Sequence, residues 1–295
     1  MRYSRILDSA LILLAVSCSP EPAAEQERAV ERIPDAITIR AHSELLWSNK
    51  DAISVFDAEF RRVNFTTSQD NVPSATFSSS SWTGKAPVYA VFCSRRNETT
   101  CTPSGVMGVF IKGTQTAGDK GHCPKDGEAA VGIITGSPGS YDVNMKNVGA
   151  FIKVNVKTGI VGKINVSSKA GETMTGYVDV DYAKISAGLD GFWTPTHGKT
   201  VSASASLVPA SGTCFEKGEY LISILPGTYS GGISFVAYDD EGTVLCREIL
   251  GETSGVTLKR NGEIPVTITI DSSFEFPGTG FEGVSTGDIL EYDEQ

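Results

Sequence analysis

Histidine is scarce in this sequence. His42, His122 and His197 are the only three, and none neighbours another. Their scarcity removes most of the usual general bases and the commonest metal ligand. HExxH and the phosphate-binding P-loop are both missing. Gly278–Gly283 matches G-x-G-x-x-G, but no strand leads closely into it and no helix pattern follows, so it reads as coincidence. Charge is thin as well. Only 20% of residues are charged, and 35 acidic residues against 25 basic ones leave a net charge of -10. An acidic chain without a basic stripe does not suit nucleic acid or anionic lipid, and the acidity reads as solubility. Long Leu/Ala/Glu/Lys runs are lacking too. No amphipathic helix of more than two turns is expected, and 41–47 (AHSELLW) is the best short helical candidate.

Glycine (31 of 295 residues), serine and threonine fill the space instead, and the apolar residues alternate. In Tyr220–Cys246, Tyr220, Ile222 and Ile224 share one face of a strand, and Ile233, Phe235 and Ala237 share one face of the next. Pro226-Gly227 and Asp239-Asp240-Glu241-Gly242 have the composition of hairpin turns. Val148, Ala150, Ile152, Val154 and Val156 form the cleanest alternation, and Val266, Ile268 and Ile270 repeat it near the end. In the first half, 88–92, 106–111 and 128–134 read as apolar strands, whereas 74–81 (SATFSSSS) offers little to a core. Strands about ten residues apart, joined by Gly, Pro, Asn and Asp turns, predict an all-β antiparallel sandwich. A length of 295 residues suits one large or two ordinary domains. The division falls at 36–140 and 141–272, followed by a Gly-rich acidic tail, 273–295.

The start reads as an address. Arg2 and Arg5 precede an apolar run from Ala10 to Val16, too short to span a bilayer, so 1–17 reads as an export signal. Ala15-Val16-Ser17-Cys18 resembles the lipobox of bacterial lipoproteins, which implies a lipid on Cys18 and an outer-membrane anchor. The rival is an ordinary secretory signal with an incidental cysteine. Residues 18–35 are Pro-, Ala- and charge-rich without an apolar period, as in a tether.

Few groups here could do chemistry. Cys93 and Cys101 flank a polar loop and are candidates for one disulfide, with Cys123 as rival partner, and Cys214 and Cys246 for another. A zinc site from Cys93, Cys101, His122 and Cys123 lacks paired CxxC spacing, so no metal or cofactor is expected. Asp179 and Asp181, and the acidic turn at 239–241, read as solvated carboxylates rather than an acid–base pair. Trp82 and Trp193 could stack on sugar, against a plainer role in a core or rim.

Three segments and the lipobox carry a family resemblance. They are Trp47 with Asp51-Ala-Ile-Ser-Val-Phe56, Asn147–Val156, and Tyr220–Gly232 running into Asp240-Glu-Gly242. Across about 36–272 the chain resembles the fimbrillin-like lipoproteins of Bacteroidetes, the major and minor subunits of type V pili. The resemblance implies two tandem β-sandwich domains of Greek-key or transthyretin-like kind, and a surface lipoprotein without enzymatic activity. It also implies strand exchange with other pilus subunits: a protease cuts after Arg and removes an N-terminal strand, and a neighbour's segment fills the groove. Arg40, Arg61, Arg62, Arg95 and Arg96 are the candidates for the cut; the Arg61-Arg62 pair follows the early strands, against a plain solvated turn. The rival to a polymerising subunit is a surface lipoprotein that binds a host glycan or protein.

Overall fold

A computed structural model describes residues 37–82, 85–119, 122–269, 273–276 and 284–286. The expected export signal, Cys18, the tether and most of the 273–295 tail lie outside the described residues.

β1 (Ile37–Trp47), β2 (Ala52–Asp57), β3 (Arg62–Thr66), β4 (Val72–Ser79) and β5 (Pro87–Cys93) come first. The chain then leaves through β6 (Thr100–Thr102), β7 (Gly105–Ile111) and β8 (Thr114–Thr116), and returns in β9 (Ala129–Ser137) and β10 (Ser140–Asn147). Seven of these strands close on themselves in the order β1-β10-β9-β5-β2-β3-β4, with β4 paired back to β1. The first half is therefore a closed barrel, not the sandwich expected. Both architectures use short alternating strands, and the sequence does not show whether the last strand returns to the first.

Inside the barrel stand Trp47, Phe65, Phe77, Trp82, Phe92 and Tyr141, with small residues such as Ala41, Ala75 and Ala90 between them. The serine-rich stretch expected to give little core supplies Ala75 and Phe77, which point inward from β4. The short helix expected at 41–47 is instead the second part of β1. Pairing to β4 on one side and β10 on the other overrides local helix propensity there.

The second half holds β11 (Ala150–Val156), β12 (Lys163–Ser168), β13 (Thr175–Asp181), α1 (Tyr182–Ser186), β14 (Trp193–Pro195), β15 (Val201–Ser202) and β16 (Ser204–Val208). It continues with β17 (Gly218–Ile224), β18 (Gly227–Tyr229), β19 (Ile233–Tyr238), β20 (Val244–Leu250), β21 (Val256–Leu258), β22 (Glu263–Ile268), β23 (Phe274–Glu275) and β24 (Val284–Thr286). Sheets β17-β11-β22-β23 and β20-β19-β12-β16-β8 share one aliphatic core. Into it point Ala150, Ile152, Val154 and Val156 from β11, Tyr220, Ile222 and Ile224 from β17, and Ile233, Phe235 and Ala237 from β19, as their alternation predicts.

The connections differ from the expected hairpins. β17 and β19 lie in different sheets, so Pro226-Gly227 begins a crossing rather than a hairpin turn. The β19–β20 connection is a true hairpin, and Asp239 carboxylate accepts from the Glu241 and Thr243 amides. Gly232, at φ 78, must be glycine, because a Cβ there would lie 2.4 Å from the Leu250 carbonyl oxygen. The expected division at 140/141 falls at the turn of the β9–β10 hairpin, where Ser137 pairs with Ser140. The chain passes from barrel to second module at Val148-Gly149. β6 and β7 join β13 and β14 in a separate sheet, and β8 pairs with β16, so the two halves are interleaved.

Candidate strand-acceptor site around β1

β1 is the first described strand, and its pairing is mixed. It runs parallel to β10 (Ile39 opposite Tyr141, Ala41 opposite Val143) and antiparallel to β4 (Ile39 opposite Phe77, Ala41 opposite Ala75). Ile37, Ile39 and Ala41 face inward while Thr38 and Arg40 face solvent, a period of two that fixes the register. The register then shifts between His42 and Trp47. The resulting bulge swings Trp47 into the barrel, edge-on to Phe77 (4.9 Å) and Phe92 (5.2 Å). Its indole N–H donates to the Ala41 carbonyl at 2.9 Å, closing the bulge on itself.

The bulge also aims Glu44 at the second module. Its Oε2 accepts from the Asn147 amide (2.9 Å), from Arg260 Nη1 (2.6 Å) and from Asn261 Nδ2 (3.0 Å). Asn261 stands at φ 60 in the β21–β22 turn, and its side-chain oxygen accepts from Asn147 Nδ2 at 2.7 Å. Partial burial pushes the Glu44 pKa up. The hydrogen bonds from Asn261 and Asn147 and the Arg260 charge outweigh it and hold the carboxyl below its ordinary range.

One residue on, Leu45 packs against Cys123, Phe151 and Leu221. Lys125 Nζ donates to the Leu46 carbonyl (2.8 Å), Asp51 (3.1 Å) and Glu128 (3.0 Å). Glu128 is nearly enclosed, and burial pushes its pKa up to about 7 against the pull of Lys125. A cavity of about 600 Å³ opens here, lined by Glu44, Leu45, Ser48, Lys125, Glu128 and Leu221 among others. One half of β1 thus completes the barrel, and the other half joins the barrel to the second module.

The residues singled out in the sequence fall elsewhere. Arg61 and Arg62 end the β2–β3 turn. Asp57, fully buried, accepts from the amides of Glu59 and Arg61 and from Arg61 Nε (3.0 Å), so the turn is tied down. Arg62 donates to the carbonyls of Asn97 and Thr99. A cut after either arginine would sever β1 and β2 together from β3. Cys93, Cys101, Cys123 and Cys214 are free thiols, and Cys101 Sγ lies 3.5 Å from the Tyr182 hydroxyl. Cys246 sits half-buried on β20 opposite Ala237. Trp82 is a core residue, edge-on to Phe65 at 5.6 Å, and offers no sugar platform. Trp193 is half-buried against a neighbouring apolar cluster, its indole N–H on the Pro226 carbonyl. Asp179 accepts from the Gly108 amide and Thr196, and Asp181 caps α1. Among the described residues no group of three or more His, Cys, Asp or Glu is placed to hold a metal.

Glu44, Lys125, Glu128 and Arg260 were not singled out by sequence reasoning. Single charges scattered over the chain have no spacing to reveal them. The one local signal was Asn261-Gly262, a turn pair directly after the β21 stretch.

No family model matches the chain, and no curated protein does. Among solved structures it is similar to a "putative cell adhesion protein" from Bacteroides uniformis, with a TM-score of 0.49 and 12% identity over 81% of this chain and 96% of that one. It is also similar to the tip fimbrial protein Mfa3 from Porphyromonas gingivalis with C-terminal truncation, with a TM-score of 0.38 and 10% identity over 85% and 98% of the two chains. The fimbrial anchor protein Mfa2 from the same organism gives a TM-score of 0.31 and 8% identity over 78% and 90%.

Proposed function

We propose that the chain is a non-enzymatic cell-surface component of a pilus or adhesion system, and that it joins other subunits by exchange of β1. The observation that carries this reading is the place of β1. It is joined to the rest through the short turn 48–51, and it alone closes the barrel between β10 and β4. Its removal would leave two unpaired strand edges facing each other and empty the sockets of Ile37, Ile39 and Trp47. Each large side chain withdrawn forfeits roughly 1.5–3 kcal/mol of burial, so the opened barrel has a strong drive to accept another extended segment. The sequence resemblance to fimbrillin-like lipoproteins supplies the biological setting. In it a lipid on Cys18 holds the precursor at the outer membrane, and Arg-directed cleavage starts the exchange; a cut at Arg61-Arg62 would free β1 only together with β2.

Treatment of the purified protein with an Arg-specific protease tests this. The expected outcome is loss of an N-terminal fragment containing β1, followed by multimers that survive detergent on a gel. Protein that is cleaved yet stays monomeric, with no N-terminal strand released, would refute the reading.

A further inference from the structure

We propose that the site left by β1 reads a carboxylate, so that the strand it accepts must carry an acidic residue at the register of Glu44. The inference rests on the strand-exchange reading and specifies the partner that such exchange requires. The inner half of the groove is permissive. It asks for apolar side chains at the registers of Ile37 and Ile39 and a small one at Ala41, which lies between Ala75 on β4 and Val143 on β10. Many extended segments meet that demand.

The outer half is selective. Arg260, Asn261 Nδ2 and the Asn147 amide all donate to one oxygen of Glu44, and Lys146 stands 3.8 Å from the other. Charge-assisted bonds of this kind are the stronger ones. Arg260 is largely enclosed, its side chain 21% exposed, with the Asn147 carbonyl 3.4 Å from Nη1. An incoming strand without a carboxylate there would leave the Asn147 main-chain N–H without its acceptor and the Arg260 guanidinium with the Asn147 carbonyl alone. The donors come from both sides of the junction: Asn147 and Lys146 end the barrel, whereas Arg260 and Asn261 belong to the β21–β22 turn of the second module. The carboxylate therefore also joins the two modules, and an accepted strand that supplies it would restore the junction along with the barrel.

The partner is a segment of a different subunit. Within 273–295, Phe274, Phe276 and Gly278 match the apolar, apolar and small registers, but Phe281 then falls where the acid is needed and Glu282 comes one residue late. A shift of one residue turns a side chain to the other face of the strand. No other register of 273–295 places two apolar residues, a small residue and an acid correctly.

The test uses the full chain with a specific protease site placed in the 48–51 turn, so that β1 can be nicked and displaced. Fluorescent peptides spanning 37–47 are offered with the native sequence, with Glu44→Gln and with Glu44→Ala, beside a peptide of 273–295. The native peptide is expected to be retained, and both Glu44 variants to dissociate at least about tenfold faster. The 273–295 peptide should not be retained. Equal retention of all the 37–47 peptides would overturn the inference and leave strand exchange standing. Retention of the 273–295 peptide as well as the native one would show that the acid register is not read. Failure of every peptide to enter would overturn the strand-exchange reading, and the inference with it. Only the peptide changes, so misfolding of a variant protein cannot imitate any of these results.

Discussion

The barrel and the second module fill their interiors in different proportions. The barrel gives much of its core to large aromatic side chains, Trp47, Phe65, Phe77, Trp82, Phe92 and Tyr141, set among alanines and aliphatic residues such as Ile39, Ile53 and Val143. The second module uses many middle-sized aliphatic ones, with Ala150, Ile152, Val154 and Val156 on β11 alone. A core of few large pieces concentrates its stability at single positions, whereas a core of many similar pieces spreads it. The aromatic residue that finishes β1 also touches two other aromatics, so the strand proposed to leave carries one of the heaviest contributions.

Trp47→Ala would strike this contrast hardest. It removes a side chain 2% exposed, together with its hydrogen bond to Ala41, and should cost about 3–5 kcal/mol. Ile152→Val, deep in the other core, should cost only about 0.5–1.5 kcal/mol. Urea unfolding followed by circular dichroism would measure both. Trp47→Ala should bring unfolding of the barrel ahead of the second module and split the transition in two. Equal midpoints for the two variants would erase the difference between the cores.

The junction responds to pH, and Glu128 sets the sign. Its folded pKa, about 7, lies above the ordinary value of 4.5 because burial disfavours the charged form. A carboxyl raised on folding keeps its proton longer in the native state. Its contribution is fully present below about pH 4.5 and is lost as pH rises through 7. Glu128→Gln imitates the protonated form, so the variant should match the parent near pH 4 and exceed it by up to about 3 kcal/mol at pH 8. Denaturant midpoints across that range decide it. A variant less stable than the parent at pH 8 would mean that the Lys125 pair outweighs desolvation.

The same contrast explains which parts of the molecule could be read in advance. The faces of β11, β17, β19 and β22 were legible because nearly every second residue is Val, Ile or another apolar side chain, and period two is the strongest signal a strand gives. β4 was nearly invisible: six of its eight residues remain outside the core, and Phe77 does the packing that a run of valines does elsewhere. β1 was half legible. Ile37-Thr38-Ile39 alternates, but the bulge at 42–46 breaks the period and leaves a stretch with helical composition. Closure of the barrel and the crossing after β17 depend on which strand meets which, and turn composition does not encode that. The junction was hidden for a further reason. Glu44 and Arg260 are 216 positions apart, and only the assembled fold brings them together.

The smallest expected effect is chemical and leaves the fold intact. Burial pushes the Cys93 thiol up to about 11, the Cys101 thiol up to about 12 despite its contact with Tyr182, and the Cys123 thiol well above its usual range. At pH 8 a thiol at about 11 holds about a hundredfold less thiolate than one at its ordinary value of 9, before access is considered. Cys214 sits half-exposed in the loop leading to β17. Alkylation of the native, reduced protein should therefore mark Cys214 within the time that leaves Cys93, Cys101 and Cys123 unmarked, as peptide mass mapping would show. Displacement of β1 should then expose Cys123 first, because Leu45 of that strand packs over it, while Cys93 and Cys101 are enclosed beneath β7, β13 and α1. Labelling of Cys93 ahead of Cys123 after displacement would mean that loss of β1 opens the barrel wall rather than the junction.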